Sequence, residues 1–360
     1  MQSTRRGFLA GMMAAGAVPA TSWAEAGNPA YLAAARDSDG AYHLAGLAGD
    51  GAGRFSIPLP GRGHAATAHP KHPEAIAFAR RPGTFALVID CLAGREIARL
   101  DAPEGRHFYG HGVFSQDGNL LFTPENDYDN GVGVIGVWDR RAHWDRVGAF
   151  SSGGTGPHEI SRLPGQDVLV VANGGIETHP ETGRAKLNIP DMRPNLSYIT
   201  ANGHLLEQVE PPVADHMNSL RHLAVNADGL VACALQWQGD RFDAPALLAI
   251  HRQGRALQFA MASDTQHLQM QAYGGSVSFS GDGSHIAVTS PRGGVVQIFD
   301  REGAFLTQHS LEDVCGAAPA TGTGFIVTTG TGEVAEIDAS GKYQKLSQHT
   351  RQWDNHLIAI

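Results

Sequence analysis

The sequence has little from which to build a disulfide scaffold, a membrane span or a familiar hydrolase. Of 360 residues only three are cysteine: Cys91, Cys233 and Cys315. They fall at a third-strand turn, in a second strand and at a strand start, so their spacing suggests no pair. The apolar run that ends near Val18 is shorter than the ~20 residues a membrane helix needs. No GxSxG elbow, HExxH or CxxC occurs, which counts against serine-hydrolase and zinc-protease chemistry. Positive charge is scarce too, with 27 Lys and Arg against 36 Asp and Glu. Such a balance repels phosphate backbones and anionic lipid, so no nucleic-acid partner is expected.

The first residues read as an export signal. Thr4-Arg5-Arg6-Gly7-Phe8-Leu9 followed by a short apolar stretch is a twin-arginine leader pattern, and Ser22 and Ala24 place cleavage before Glu25. A leader over residues 1–24 and a single domain over residues 25–360 are therefore expected, with the mature protein in the periplasm and without a membrane span. Loss of Arg5 and Arg6 leaves 25 basic against 36 acidic side chains, a net charge of −11.

What the chain does contain is a repeat. Segments starting at His64, His111, His158, His222, Ser276, Cys315 and His356 share one pattern: a polar head, a short apolar strand and, where chain remains, a Gly-rich turn and a second strand. Third strands end in stops such as GVWD to Asp139, QIFD to Asp300 and AEID to Asp338, and fourth strands follow them. About four short strands per unit, repeated evenly, is the signature of a β-propeller blade. The last unit, His356 to Ile360, has no chain left for outer strands, whereas YLAAARD, AYHLAGL and GRFSIPLP near the N-terminus lack an inner strand. Joining the two predicts an all-β, seven-bladed β-propeller closed by N-terminal outer strands and a C-terminal inner strand. With 45 glycines breaking every periodic stretch, no helix is expected.

In a propeller the inner strands border the central channel, so the seven head residues should ring one mouth of it. Imidazole and thiolate there favour Cu, Fe, Zn or Ni over Ca or Mg. His64, His111, His158, His222, Cys315 and His356 are the candidate metal ligands, and Ser276 marks an open side. The competing reading is a wet polar channel, its histidines bonded to water and carbonyls. Glu159, Arg221, Asp354 and Asn355 flank head residues, but strand alternation should turn them away from the ring, toward contacts between blades. His107, His216, His267, His309 and His349 fall in loops just before the heads and read as solvated.

Two motifs fail on context. Gly131 to Gly136 matches a dinucleotide fingerprint but opens a strand rather than a helix. Glu125 to Gly131 resembles a calcium loop but lacks the central glycine and distal glutamate, so an Asn-Gly hairpin is the better account. A long insertion from Ala172 to Thr200 lies on the ring face, where Asn173, Glu177, His179, Arg184, Lys186, Asn188 and Met192 are placed to form a lid.

The set GHGVFSQDG, ENDYDNGVGVIGVWD, GPHE, VANGGIETHPETGRAKLN, RHLAVNADG, TSPRGG and NHLIAI resembles the DUF1513 family of bacterial exported proteins across the mature chain. His111, His158, His222, Gly183 and Arg184 fit that pattern; Cys315 finds no clear place in it. The resemblance implies a propeller-like fold and, through association with imelysin-type and di-haem peroxidase-like proteins, a role around periplasmic iron. It implies no reaction. Three functions follow as expectations: a Fe- or Cu-binding hub serving iron acquisition or a redox step; a docking platform for imelysin-type or di-haem partners; and a lactonase-like, metal-dependent hydrolase.

Overall fold

A computed structural model describes residues 21–80 and 84–360; the expected leader lies outside the described residues up to Ala20. Among the described residues the strands form seven antiparallel sheets, six of four strands and one of five. We number the blades by their inner strands: Gly63–Ala68 in blade one, Arg106–Phe108 with Val113–Phe114 in blade two, Pro157–Arg162 in blade three, Asn218–Val225 in blade four. Ser276–Phe279, Val314–Pro319 and Gln352–Ala359 serve blades five, six and seven.

Closure follows the sequence expectation. The terminal strand Gln352–Ala359 pairs with Tyr31–Arg36 in the register Leu32↔Ile358 and Ala33↔Leu357, and two further N-terminal strands complete blade seven. Both chain ends are thus tied into one sheet, which closes the ring and leaves the outer strand of each blade as its edge.

The sheets stand face to face around the hub, and the core lies between them. Val170, Leu196 and Tyr198 of blade three meet Leu223, Val231 and Leu235 of blade four; Ile76, Phe78 and Val88 of blade one meet Phe108, Leu121 and Trp138 of blade two. Each such buried Leu, Val or Phe contributes roughly 1.5–3 kcal/mol relative to exposure. Outer strands lose this double burial: Asp145–Ser151 alternates exposed and half-buried residues. The packed unit also reaches back beyond the expected leader boundary. Trp23 is buried against Leu32, Leu44 and Ile57, and its indole N–H donates to His69 O at 2.9 Å.

One expectation needs correcting. A short helix, Asp264–Gln269, crosses from blade four to blade five. None of its residues is glycine, and it is fastened where buried His267 bonds Ala244 O at 3.0 Å. The GxGxxG-like stretch is a strand, Val132–Asp139, as its context indicated. Glu125 to Gly131 is a hairpin whose Gly131 adopts φ +67°.

Candidate metal centre

Local irregularity in the inner strands, more than strand pleat, positions the head residues. In blade one the register slips between Gly63 and Ala66, which places His64 in a bulge. In blade three His158 is the extra residue between Pro157 and Glu159. In blade four Arg221 is the extra residue and His222 follows it. In blade seven Asp354, Asn355 and His356 together oppose Ala34. His111 sits in the break between the two halves of blade two's inner strand. A bulge re-aims the side chains it carries and twists the strand. Gly110 completes the arrangement: it adopts φ +97°, and a Cβ there would collide with the His64 ring.

The five imidazoles come together. His111 is central, its ring centroid 5.0 Å from His64, 5.4 Å from His158, 5.8 Å from His222 and 4.7 Å from His356. His158–His222, His222–His356 and His64–His356 are separated by 4.7, 4.6 and 4.7 Å. Two sets of three, His64–His111–His356 and His111–His158–His222, each offer nitrogens within 4.8 Å of one another. His111 belongs to both.

The nest is largely buried, with His158 half-buried, and short of hydrogen bonds. His64 is 9% exposed, and His111, His222 and His356 are 4% or less. Nε2 of His111, Nε2 of His356, Nδ1 of His158 and Nδ1 of His64 lack hydrogen-bond partners. Each buried polar atom left so costs about 1–3 kcal/mol, which favours a ligand that satisfies several at once. Burial is the main reason that His64, His111, His158 and His356 are held below the ordinary imidazole value, and charge on neighbouring histidines pushes the same way. Those four imidazoles are therefore neutral near pH 7, with lone pairs free to coordinate.

Two carboxylates grip the nest from outside, contrary to the expectation from strand alternation. His222 Nδ1 lies 2.9 Å from Glu159 Oε2, which also accepts from the Leu223 backbone N–H at 3.2 Å; His111 Nδ1 lies 3.7 Å from Glu159 Oε1. Asp354 Oδ1 is 3.9 Å from His64 Nδ1, beyond hydrogen-bond reach, and the carboxylate is anchored by Arg62 at 2.6 Å and Arg80 at 2.9 Å. Burial alone would raise the Asp354 carboxyl, but His64, Arg80 and Arg62 outweigh it and hold the group well below its usual range. The bulges explain the miss: they break the two-residue alternation on which the expectation rested. A carboxylate behind a histidine is the usual way to fix its tautomer at a metal.

Cys315 takes a different direction. Its Sγ lies 3.4 Å from Asp354 O and 3.5 Å from Thr328 O, and burial pushes the thiol up to about 12, so it is a protonated donor to backbone carbonyls. Neither three-histidine set includes it. Ser276 occupies a regular register opposite Thr289. The loop histidines expected to be solvated make local contacts: His107 with Asn126 at 3.2 Å, His349 with Gly51 O at 3.0 Å, His216 with Val213 O at 3.0 Å, and His309 stacked on Tyr343.

The insertion lies over the same face. Gly174 N–H donates to Gly156 O at 2.8 Å and Gly175 N–H to Thr155 O at 2.9 Å, joining the insertion to the segment that leads into His158. Three of its expected lid residues are structural pins: Asn173 bonds Ser152 and Asn195, Asn188 donates to Gly175 O, and Met192 is buried. Glu177 is half-buried, while Arg184 and Lys186 are exposed.

Fold and nest together define the class: a closed seven-bladed propeller with five clustered imidazoles at the hub. The chain belongs to the DUF1513 family, described as "Protein of unknown function (DUF1513)", whose model matches residues 57–360. No curated protein matches it. Among solved structures it is similar to Kuenenia stuttgartiensis hydrazine synthase, with TM-score 0.63 and 14% identity over 84% of this chain and 90% of that one. It is also similar to a chain of a mitotic checkpoint complex, with TM-score 0.54 and 12% identity over 76% of this chain and 72% of that one. KlHsv2 with loop 6CD replaced by a Gly-Ser linker gives 0.55 and 11% over 87% and 92%. At these identities the likeness shows the fold alone.

Proposed function

We propose that this is an exported, periplasmic protein whose hub holds a transition-metal ion, Fe or Cu, serving iron acquisition or a periplasmic redox step. The observation that carries the reading is the convergence of five imidazoles, four buried and His158 half-buried, four of them with a nitrogen lacking a hydrogen-bond partner. His64, His111, His158, His222 and His356 are the ligand pool, Glu159 and Asp354 orient it, and Cys315 stands outside it. An all-nitrogen donor set ranks Cu2+ above the other divalent first-row ions, while the family resemblance points to iron. When bound, the ion would supply a redox or Lewis-acid centre; the chain's own part is to hold the imidazoles together and oriented. The test is elemental analysis of untagged protein with optical and paramagnetic spectra. About one Fe or Cu per chain is expected, and protein free of metal after incubation with either ion would refute the reading.

A second reading has its own observation. Val213 is 90% exposed and Phe242 67%, each in a short 3-10 turn, Val213–Asp215 and Arg241–Asp243. Apolar side chains so displayed suit a partner such as an imelysin-type or di-haem protein. Co-purification that persists in a metal-free His111→Ala variant would favour docking as the primary role.

A further inference from the structure

The histidine nest has a second approach, from the face opposite the insertion. A cavity of about 510 Å3 runs along the inner strands of blades three to seven, and Glu159 is part of its lining. Through Glu159 it touches the hydrogen-bonded pair Glu159–His222 and lies one carboxylate away from His111. The charged residues of its lining are Glu159, Asp228 and Asp282, with no lysine, arginine or histidine among them. Asp228 pairs with Arg301 at the rim, and Asp282 is held ionised by Ser280 and Ser284.

A smaller cavity, about 100 Å3, approaches the nest from the side at Asp354. Arg62 and Arg36 line it and Arg80 grips the same carboxylate, so a cation entering there meets fixed positive charge first. On the insertion face the chain is closely packed, with Tyr109 and Ile176 buried beside Gly156. A cleft lined by charge of one sign concentrates the opposite charge, and of these two cavities the large one does so for cations.

We propose that this acidic cavity is the path by which a hydrated divalent transition-metal cation enters and leaves the nest, with Glu159 as the last carboxylate it meets. The proposal rests on the metal-binding reading above and adds to it the side from which the ion arrives. Because an obstruction that does not contact the bound ion alters barriers without altering the end states, blocking the path should slow binding and release equally.

Ser161 lines the cavity two residues beyond Glu159. The native cysteines are buried, so Ser161→Cys offers one accessible thiol for labelling after folding. The protein is labelled with either a methylthio group or a bulky maleimide, and Cu2+ binding and release are followed by stopped flow. The bulky adduct should slow both rates by about tenfold or more while Kd stays within about twofold. The same adduct on Glu181→Cys, exposed in the insertion, should change neither rate. Unchanged rates with the bulky Ser161→Cys adduct, or slowing by the Glu181→Cys adduct, would overturn the route while leaving the metal site standing. Failure of the unlabelled protein to bind both Cu2+ and Fe2+ would overturn the route and the metal site together.

Discussion

Blades three and five share one topology yet treat the hub differently. In blade three the inner strand bulges at His158, and the bulge delivers His158 to the nest with Glu159 beside it. In blade five the inner strand pairs without interruption from Ser276↔Thr289 to Phe279↔Ile286, and the nest draws nothing from it. Blade six lies between them: its strand bulges at Cys315, but the thiol turns to backbone carbonyls. A head residue therefore joins the site only where a metal-competent side chain and a local break in the pleat coincide.

The contrast is most directly broken at His111, which belongs to both three-histidine sets. His111→Ala should abolish stoichiometric metal, an affinity loss of about 100-fold or more, with the blades intact by circular dichroism. Retained metal would mean that the nest is wet channel lining. Next in size is Glu159→Gln, which keeps the shape but removes the charge behind His222 and His111. A loss of about 10-fold in metal affinity is expected by isothermal titration, the lower end for outer carboxylates.

The third prediction concerns pH in the metal-free protein. His64, His111, His158 and His356 are held below the value of about 6.5 that they regain on unfolding, so the unfolded chain takes up protons first as pH falls. Stability is thus complete above about pH 6.5 and declines toward acid, each such imidazole costing up to about 2 kcal/mol by pH 5. Urea unfolding at pH 7, 6 and 5 measures the decline, and it should be shallower in His111→Ala. Metal affinity should hold to a lower pH than for free imidazole, because the same shift weakens proton competition.

The smallest effects are expected where the comparison says nothing is delivered. Cys315→Ser should leave metal affinity within about twofold, since the thiol serves carbonyls. Ser276→His should do the same, because a regular strand does not turn a new imidazole into the nest. A marked gain in affinity from Ser276→His would show that side-chain identity alone, without a bulge, admits a residue to the site.

The sequence by itself determined the seven-fold repeat, the closure of blade seven by the C-terminal strand, expected over His356 to Ile360 and found over Gln352–Ala359, and the identity of five converging histidines. It could do so because the same strand pattern recurs in each blade and a closed ring gives each head residue one equivalent place. Only the tertiary structure decided that Glu159 and Asp354 face the nest and that Cys315 does not. Those outcomes depend on where the register slips against a neighbouring strand, and a bulge leaves no regular trace in a pattern of apolar residues. It also decided that His107, His267 and His349 are held by hydrogen bonds, since their partners, Asn126, Ala244 and Gly51, lie far from them along the chain.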